Sequence, residues 1–176
     1  MKTMAILLLV MIVFLLECGN NSVKTGDSAP DFMLYDGDGK RFYLNSAFGK
    51  VVLLNFWNTG CEPCRREIPL LEKLSKKING NIMIIGICSG EADVGRVEEL
   101  LKALDARYLN LLDSENKVSR LYGINSVPVT FILDKNSVVR YKHSGFYPDY
   151  INKYEQEILF LMRDAESPKT GIKNEF

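Results

Sequence analysis

Two cysteines separated by two residues lie at the junction between an apolar segment and an amphipathic one. They are Cys61 and Cys64, with Glu62 and Pro63 between them, and residues 51–57 before them read as a buried strand. The residues that follow repeat apolar positions at helical spacing, which predicts a helix. Cys61 would then lie at a helix N-terminus, where unpaired N–H groups and the helix dipole favour a thiolate. Because thiolates attack disulfides, the junction favours reversible dithiol–disulfide exchange.

The composition fits one globular domain and argues against a nucleic-acid partner. The chain has 176 residues with 22 basic and 22 acidic side chains, so its formal net charge is zero. The chain therefore lacks the excess of positive charge that binding to nucleic-acid phosphates usually requires. An apolar fraction of 47% is enough for a core at this length, and four cysteines are too few for a disulfide-stapled miniature fold.

The first residues resemble an export signal and not a part of the fold. A short cationic start precedes an apolar run over residues 4–16, which has the length of a signal-peptide core and is short of the roughly 20 residues of a spanning helix. Residues 15–18 then resemble a bacterial lipobox ending in Cys18, although Glu17 stands where a small residue is usual. We predict a lipoprotein signal over residues 1–18, with an uncleaved anchor or an ordinary secretion signal as alternatives. All three place the domain outside the cytoplasm.

The rest of the chain alternates between strand and helix patterns. Residues 19–28 are polar and predicted to tether a domain over residues 29–164, and residues 165–176 are predicted to be a flexible tail. The domain begins with a hairpin pattern at residues 29–44, continues with three strand–helix pairs, and ends with a second hairpin at residues 129–143 and a helix. This order predicts an α/β fold with a mixed central sheet flanked by helices. A CxxC in that setting is typical of a thioredoxin-like fold.

Two other uses of the cysteine pair stay open. A zinc or copper(I) carrier could bind metal through Cys61 and Cys64, with Cys88 and His143 completing four ligands, although structural zinc sites usually have a second paired motif. An inert disulfide is the other alternative, but so short a ring removes little loop-closure entropy. Redox exchange fits best and needs no metal or separate cofactor. In it Cys61 is the exposed nucleophile and Cys64 the buried thiol that resolves the mixed disulfide.

Several neighbours of the pair could shape its chemistry. Glu67 is either a solvated carboxylate that complements the helix N-terminus or a partly buried acceptor for the Cys64 proton. Asn55 either orders groups near the thiols or is a satisfied core amide. Cys88 follows the second predicted strand and is either a small buried hydrophobe or, because parallel strands end at the same edge, a third redox thiol. Glu62 places a negative charge beside the thiols and opposes thiolate formation.

The chain resembles the TlpA/ResA-like family of membrane-tethered thiol–disulfide oxidoreductases over residues 26–161. Its Cys-Glu-Pro-Cys core with the trailing Glu and Pro is similar to the ResA-type reductases in particular. The resemblance rests on Gly26-Asp27-Ser28-Ala29-Pro30-Asp31-Phe32, Asp36-Gly37-Asp38-Gly39-Lys40, Gly49-Lys50-Val51-Val52-Leu53-Leu54-Asn55-Phe56-Trp57, Cys61-Glu62-Pro63-Cys64-Arg65-Arg66-Glu67-Ile68-Pro69 and Val127-Pro128.

This resemblance implies a thioredoxin fold with an N-terminal β-hairpin and an inserted β-α segment. It implies that Glu67 is an active-site acid. It also implies that Pro128 is a cis-proline facing the cysteines, which would leave the backbone of Val127 free to pair with substrate. The predicted substrate-binding residues are Trp57, Glu62, Pro63, Val127 and Pro128.

The resemblance also implies a reaction, with two departures from the family pattern. The reaction is the reduction of protein disulfides outside the cytoplasm, often in apocytochrome c, with electrons from a membrane thiol donor. Gly60 stands where a tryptophan usually precedes the first cysteine, which removes a wall of the substrate groove, and Cys88 is outside the usual pattern. The peroxiredoxins share the early Ala-Pro-Asp-Phe segment. Because Thr59 lies two residues before Cys61 without the required proline, a thiol peroxidase is the weaker alternative.

Overall fold

The structure, a computed structural model, describes residues 22–78 and 82–164. The predicted signal with Cys18 and the predicted tail lie outside these residues. Among the described helices, none combines the length and the apolar character that crossing a bilayer requires. The described part of the predicted tether packs on the domain, because Val23 is buried and its N–H donates to the carbonyl of Tyr122 at 3.3 Å.

One seven-stranded sheet forms the centre of the described chain, with helices on both faces. The sheet order is β2-β1-β5-β4-β3-β6-β7. The strands are β1 (Met33–Asp36), β2 (Arg41–Tyr43), β3 (Val51–Trp57), β4 (Ile82–Ser89), β5 (Leu109–Asp113), β6 (Val129–Leu133) and β7 (Val139–Ser144). The helices are α1 (Glu62–Lys77), α2 (Val94–Ala103), α3 (Lys117–Leu121) and α4 (Tyr150–Asp164), with a 3-10 turn at Leu44–Ala47.

The strand directions bring the cysteine motif and the Val127–Pro128 segment to the same edge of the sheet. β3 is parallel to β4, with Trp57 opposite Cys88, and β4 is parallel to β5. β6 is antiparallel to β3, with Val129 opposite Phe56, so the residues just before β6 lie where β3 ends. The carboxyl edge of β3–β5 therefore carries the candidate chemistry.

Strand β3 is buried on both faces, and its alternation sorts side chains between two cores. Phe56 packs on one face with Tyr122 and Phe131, whose ring centroids lie 5.3 and 5.9 Å from it. Leu53 packs on the opposite face, in a cluster that includes Tyr154 of α4. Because successive side chains of a strand point to opposite faces, Asn55 and Trp57 share the α1 face with Leu53.

The predicted α/β thioredoxin-like fold is confirmed, with differences at element boundaries. The first hairpin strand begins at Met33, later than the pattern indicated. The helix of the third predicted strand–helix pair is short, Lys117–Leu121, because Asn116 before it has a left-handed backbone with φ of 55°. The carboxylate of Asp113 caps its first turn by accepting the N–H of Ser119 at 2.8 Å.

Candidate active site

Cys61 and Cys64 form a disulfide at the N-terminus of α1. Cys61 is the N-cap residue, with extended backbone, and its Sγ accepts the N–H of Cys64 at 3.2 Å. Pro63 lies in the first turn, where a missing N–H is tolerated. Cys61 is half-buried and Cys64 is completely buried, so an incoming sulfur can reach Cys61 and not Cys64.

The Val127–Pro128 segment lies directly against this disulfide. Its peptide bond is cis, as the family resemblance implied. The carbonyl oxygen of Val127 is 3.7 Å from Sγ of Cys61. The N–H of Gly145 donates to the carbonyl of Pro128 at 2.8 Å, which ties the segment to the end of β7. The backbone around the outer sulfur is therefore fixed by neighbouring strands.

Glu67 is a completely buried acid one turn after Cys64. Its Oε2 accepts the side-chain amide of Asn55 at 3.0 Å, and its Oε1 accepts the hydroxyls of Tyr154 at 3.1 Å and Thr130 at 3.5 Å. Burial raises the pKa of Glu67 to about 7, against the opposing effect of these hydrogen bonds. A solvated carboxylate is therefore excluded, and a group that titrates near neutral pH has the property required of a general base.

Asn55 holds this acid in place, although one of its own polar side-chain atoms makes no hydrogen bond with the described residues. Its Nδ2 also donates to the hydroxyl of Thr130 at 2.9 Å. Its Oδ1 is buried and has no hydrogen-bond partner among the described residues. Of the two alternatives for Asn55, the structure favours the ordering role, because both bonds of the amide nitrogen lead to the groups around Glu67.

Trp57 is a core residue, and its predicted place on the substrate surface is wrong. Its side chain is completely buried, and Nε1 donates to Oδ1 of Asn110 at 3.0 Å. A side chain without exposed surface cannot contact an incoming protein. Glu62 is exposed and Pro63 half-buried at the rim of the disulfide, and their substrate contacts stay predictions.

Cys88 is a buried thiol in the same apolar cluster as Cys64. Burial, and after it the negative charges of Glu91 and Asp113, raise the pKa of Cys88 to about 12. The thiol is therefore protonated at neutral pH, and a protonated thiol is a poor nucleophile. This environment favours the small buried hydrophobe over the third redox thiol.

His143 is bound to an acid and is not gathered with the cysteines. Its Nε2 lies 2.8 Å from Oε2 of Glu157, and both residues are buried. Within residues 22–78 and 82–164, no three His, Cys, Asp or Glu side chains are grouped as a metal ion would require. The ligand set of Cys61, Cys64, Cys88 and His143 is not assembled.

Sequence reasoning missed two residues that hold the acid, Thr130 and Tyr154. Thr130 lies opposite Asn55 in the β3–β6 pair, and Tyr154 reaches over from α4. A signal for Thr130 was present, since it is a polar residue inside an otherwise apolar strand. Tyr154 gave no comparable signal, because a tyrosine on the apolar face of a helix is ordinary.

Curated relatives share this motif-bearing part of the chain. The AhpC/TSA family model matches residues 25–142. The thioredoxin-like protein YneN of Bacillus subtilis (strain 168) is 35% identical over 125 residues, which cover 70% of this chain and 73% of that protein. The thiol-disulfide oxidoreductase ResA of the same strain is 33% identical over 122 residues, which cover 69% of this chain and 68% of that protein.

Solved structures agree with the fold. A crystal structure assigned to the thiol:disulfide interchange protein DsbE from Chlorobium tepidum matches with a TM-score of 0.75 at 31% identity, covering 80% of this chain and 99% of that one. The exposed lipoprotein thioredoxin Etrx1 from Streptococcus pneumoniae strain TIGR4 matches with a TM-score of 0.63 at 29% identity, covering 73% and 99%. These findings confirm the resemblance inferred from the motifs. The chain therefore belongs to the AhpC/TSA family, as a thiol–disulfide oxidoreductase of the ResA type with Cys61 and Cys64 as its redox pair.

Proposed function

We propose that the protein works as a reductant of protein disulfides outside the cytoplasm, held at the membrane by its N-terminus. The two acids beside the cysteines, exposed Glu62 and buried Glu67, carry this proposal, because they disfavour the reduced thiolate form. When substrate is reduced, Cys64 must lose its proton before it can resolve the mixed disulfide. When substrate is oxidised, the second attacking thiol belongs to the substrate. Glu67 thus serves the resolving step of reduction as a base, and in the reverse reaction it would return the proton to the departing Cys64 thiolate, so the direction rests on the charges around the cysteines.

The proposed reaction has two displacement steps. The Cys61 thiolate attacks one sulfur of the substrate disulfide, a bond forms between them, and the other substrate sulfur leaves as a thiolate. Glu67 takes the proton of Cys64, whose thiolate attacks Cys61 and releases the second substrate thiolate. The substrate gains two electrons and the protein is left with the Cys61–Cys64 disulfide. A membrane thiol donor would restore the dithiol, and the cycle needs no other cofactor.

The charges around the cysteines support a reducing couple. Glu62 is exposed beside them and Glu67 is buried behind them, and both oppose thiolate formation. The guanidinium of Arg65 is engaged with the carbonyl of Thr59, to which it donates at 2.6 and 3.1 Å. Strongly oxidising couples depend on a stabilised reduced form, and the stabilisation described here comes from the helix N-terminus, where Sγ of Cys61 accepts the N–H of Cys64.

We expect the Cys61–Cys64 couple of the full-length protein to have a reduction potential near or below the thioredoxin value of about −270 mV at pH 7. Equilibration with defined ratios of reduced and oxidised dithiothreitol measures it. The Cys88→Ala variant should give the same potential, because that buried thiol is not part of the couple. A potential towards the oxidant end, near about −120 mV, would overturn the proposed direction of electron flow.

The proposed membrane attachment is a lipid on Cys18. It rests on the lipobox resemblance at residues 15–18, and the solved relative from Streptococcus pneumoniae is itself described as an exposed lipoprotein. Cys18→Ala should abolish incorporation of a palmitate analogue and release the protein from the membrane fraction. Cys88→Ala, which removes a cysteine elsewhere, should keep both. If the Cys18→Ala protein still carries the label, lipidation at this residue is contradicted. If the wild type and the variant are both unlabelled and both stay in the membrane fraction, the result supports the uncleaved anchor.

The proposed substrates are protein disulfides, with apocytochrome c as a specific candidate. This candidate follows from the family resemblance alone. Gly60 argues against assigning the family's apocytochrome c specificity to this chain in full. The groove here lacks the tryptophan side chain that usually precedes the first cysteine.

A further inference from the structure

A polar pocket opens beside the disulfide, at the carboxyl edge of the parallel strands. Its volume is about 360 Å³, and its walls come from the loops after β3, after β4 and before β6. Asn58, Glu91, Asn116 and Val127 are among its lining residues. Because the carbonyl of Val127 is 3.7 Å from Sγ of Cys61, the pocket adjoins the sulfur that substrates reach. Crevices at this edge of a sheet are common ligand sites.

An ionised carboxylate lies in the pocket wall. Oε2 of Glu91 accepts the hydroxyl of Thr59 at 2.7 Å, and Oε1 accepts the N–H of Asp93 at 3.2 Å. The hydrogen bond from Thr59, followed by the one from Asp93, lowers the pKa of Glu91. The cation beside it is Arg96, whose guanidinium lies 3.6 Å from Oε2 and is largely exposed. Such a surface ion pair is weak, so Glu91 keeps capacity for a second cation.

A second carboxylate, Asp113, lies behind the same wall, and its described hydrogen-bond partners carry no charge. Asp113 is buried and accepts only neutral donors, namely the N–H groups of Val118 and Ser119 and the hydroxyl of Ser119. The Ser119 hydroxyl is also 2.7 Å from that of Ser89, and both serines line the pocket. Among the described residues, no Lys or Arg is part of the lining. Two carboxylates thus adjoin the pocket, while the nearby guanidinium groups of Arg65, at the Thr59 carbonyl, and Arg96, at Glu91, are not part of its lining.

The remaining lining suits a long side chain that ends in hydrogen-bond donors. The side-chain amides of Asn116 and Asn125 line the pocket and make no hydrogen bond with other described residues. Ile124 supplies apolar surface along which methylene groups can lie. The approach from the sulfur is open, because a Cβ built at Gly60 would meet only Oδ1 of Asn58, at 3.6 Å.

We propose that this pocket binds the Lys or Arg side chain of a substrate residue next to the attacked cysteine, with Glu91 as the group that selects it. The cation would lie against the carboxylate while the neighbouring cysteine sulfur lies against Cys61. This inference rests on the thiol–disulfide exchange activity and not on the direction of electron flow, since either direction brings a substrate cysteine to Cys61.

The test uses reduced full-length protein and short peptides with one cysteine in a mixed disulfide with thionitrobenzoate. The peptides differ only in the residue beside the cysteine, which is Lys, Gln or Glu. The Cys61 thiolate attacks the peptide sulfur and thionitrobenzoate leaves as its thiolate. Cys64 then attacks Cys61, which releases the peptide thiol and leaves the protein oxidised. The rate of thionitrobenzoate release gives a second-order rate constant, and the rate with dithiothreitol corrects for the intrinsic reactivity of each peptide.

We expect the corrected rate constant for the Lys peptide to exceed that for the Glu peptide about tenfold, and the ratio to fall with added salt. Glu91→Gln should reduce the ratio to about twofold, because it removes the charge and keeps an acceptor for Thr59. Glu99→Gln is the matched control. It makes the same charge change on an exposed residue of α2 outside the pocket and should keep the wild-type ratio.

A corrected ratio near one in the wild-type protein would overturn the proposal, and so would a tenfold ratio that survives in Glu91→Gln. Should Glu91→Gln fail to fold, Asn125→Lys provides an independent test at an exposed lining residue. The added cation should lower the preference for the Lys peptide, and an unchanged preference in that variant would equally refute the role of the pocket. None of these outcomes depends on the reduction potential, so this proposal and the proposed direction of electron flow can fail separately.

Discussion

Replacing Cys64 with Ser is expected to turn the enzyme into a trap for its substrates. Cys61, the accessible sulfur, would still attack and form a mixed disulfide. The serine hydroxyl cannot resolve it, so the mixed disulfide persists unless an external thiol attacks it. Multiple-turnover reduction of a disulfide substrate should fall on the order of 10³-fold or more. Non-reducing electrophoresis and mass spectrometry of the adducts should show one substrate molecule bound per protein.

Two control variants separate this outcome from non-specific coupling. Cys61→Ser should form no adduct, because the attacking thiol is gone. Cys88→Ala combined with Cys64→Ser should trap as much as Cys64→Ser alone, because Cys88 is buried and protonated. Adducts that persist in Cys61→Ser, or a folded Cys64→Ser protein that traps nothing, would contradict the assignment of attacking and resolving thiols.

The second large effect is expected from Glu67→Gln. Glutamine keeps the size of the side chain and an oxygen that can accept from Tyr154, but it cannot take the Cys64 proton. Resolution of a mixed disulfide at Cys61 should slow about 10²-fold near pH 7. In the wild-type protein the resolution rate should rise with pH through the Glu67 pKa of about 7, and this rise should be missing from the variant. Stopped-flow measurement of the release step across pH 5–9 checks both.

The same substitution should change how stability depends on pH. The folded pKa of Glu67, about 7, lies above its ordinary value of 4.5, so the folded state binds the proton more tightly. Its stabilising contribution is therefore complete below the ordinary value and is lost as pH rises through the folded pKa. The loss is about 3 kcal/mol in the free energy of unfolding. Glu67→Gln lacks the titrating group and should lose less stability than the wild type between pH 5 and pH 8.

Guanidinium unfolding at the two pH values measures this difference, with Glu99→Gln as a control at an exposed carboxylate. The control should follow the wild-type pH dependence. If the wild type and Glu67→Gln lost the same free energy between pH 5 and pH 8, burial of the acid would not be raising its pKa. An unchanged resolution rate in Glu67→Gln would separately show that Cys64 does not depend on this acceptor.

Local patterns were enough to predict the redox pair and the order of strands and helices. The apolar run before Cys61 and the helical spacing after it are properties of neighbouring residues. The common edge of β3 and β4 followed from the rule that parallel strands end together, which placed Cys88 on the side of the cysteine pair, and the structure adds that it lies opposite Trp57. These parts of the fold depend on short-range periodicity and on chain direction, and both can be read along the sequence.

The partners of Glu67 could not be read in this way. Its contacts with Thr130 and Tyr154 join residues 63 and 87 positions apart, so they exist only after strands and helices have packed. Trp57 was misplaced for a related reason. In β3 every residue is buried, and alternation does not reveal which face a side chain occupies when both faces are covered. The environment of the Trp57 side chain became clear only from the hydrogen bond that its Nε1 donates to Oδ1 of Asn110.

Under the proposed mechanism, the acid network also gives the last helix an importance for catalysis that its position in the chain conceals. α4 contains no cysteine and does not line the groove beside the sulfur, yet its Tyr154 donates one of the bonds that hold Glu67. The redox motif therefore depends on residues from other parts of the domain. Transplanting the strand, the cysteines and α1 into another protein would carry the thiols but leave their proton acceptor without its hydroxyl donors. Inherited changes at the end of the domain can likewise tune thiol chemistry that is encoded about a third of the way along the chain.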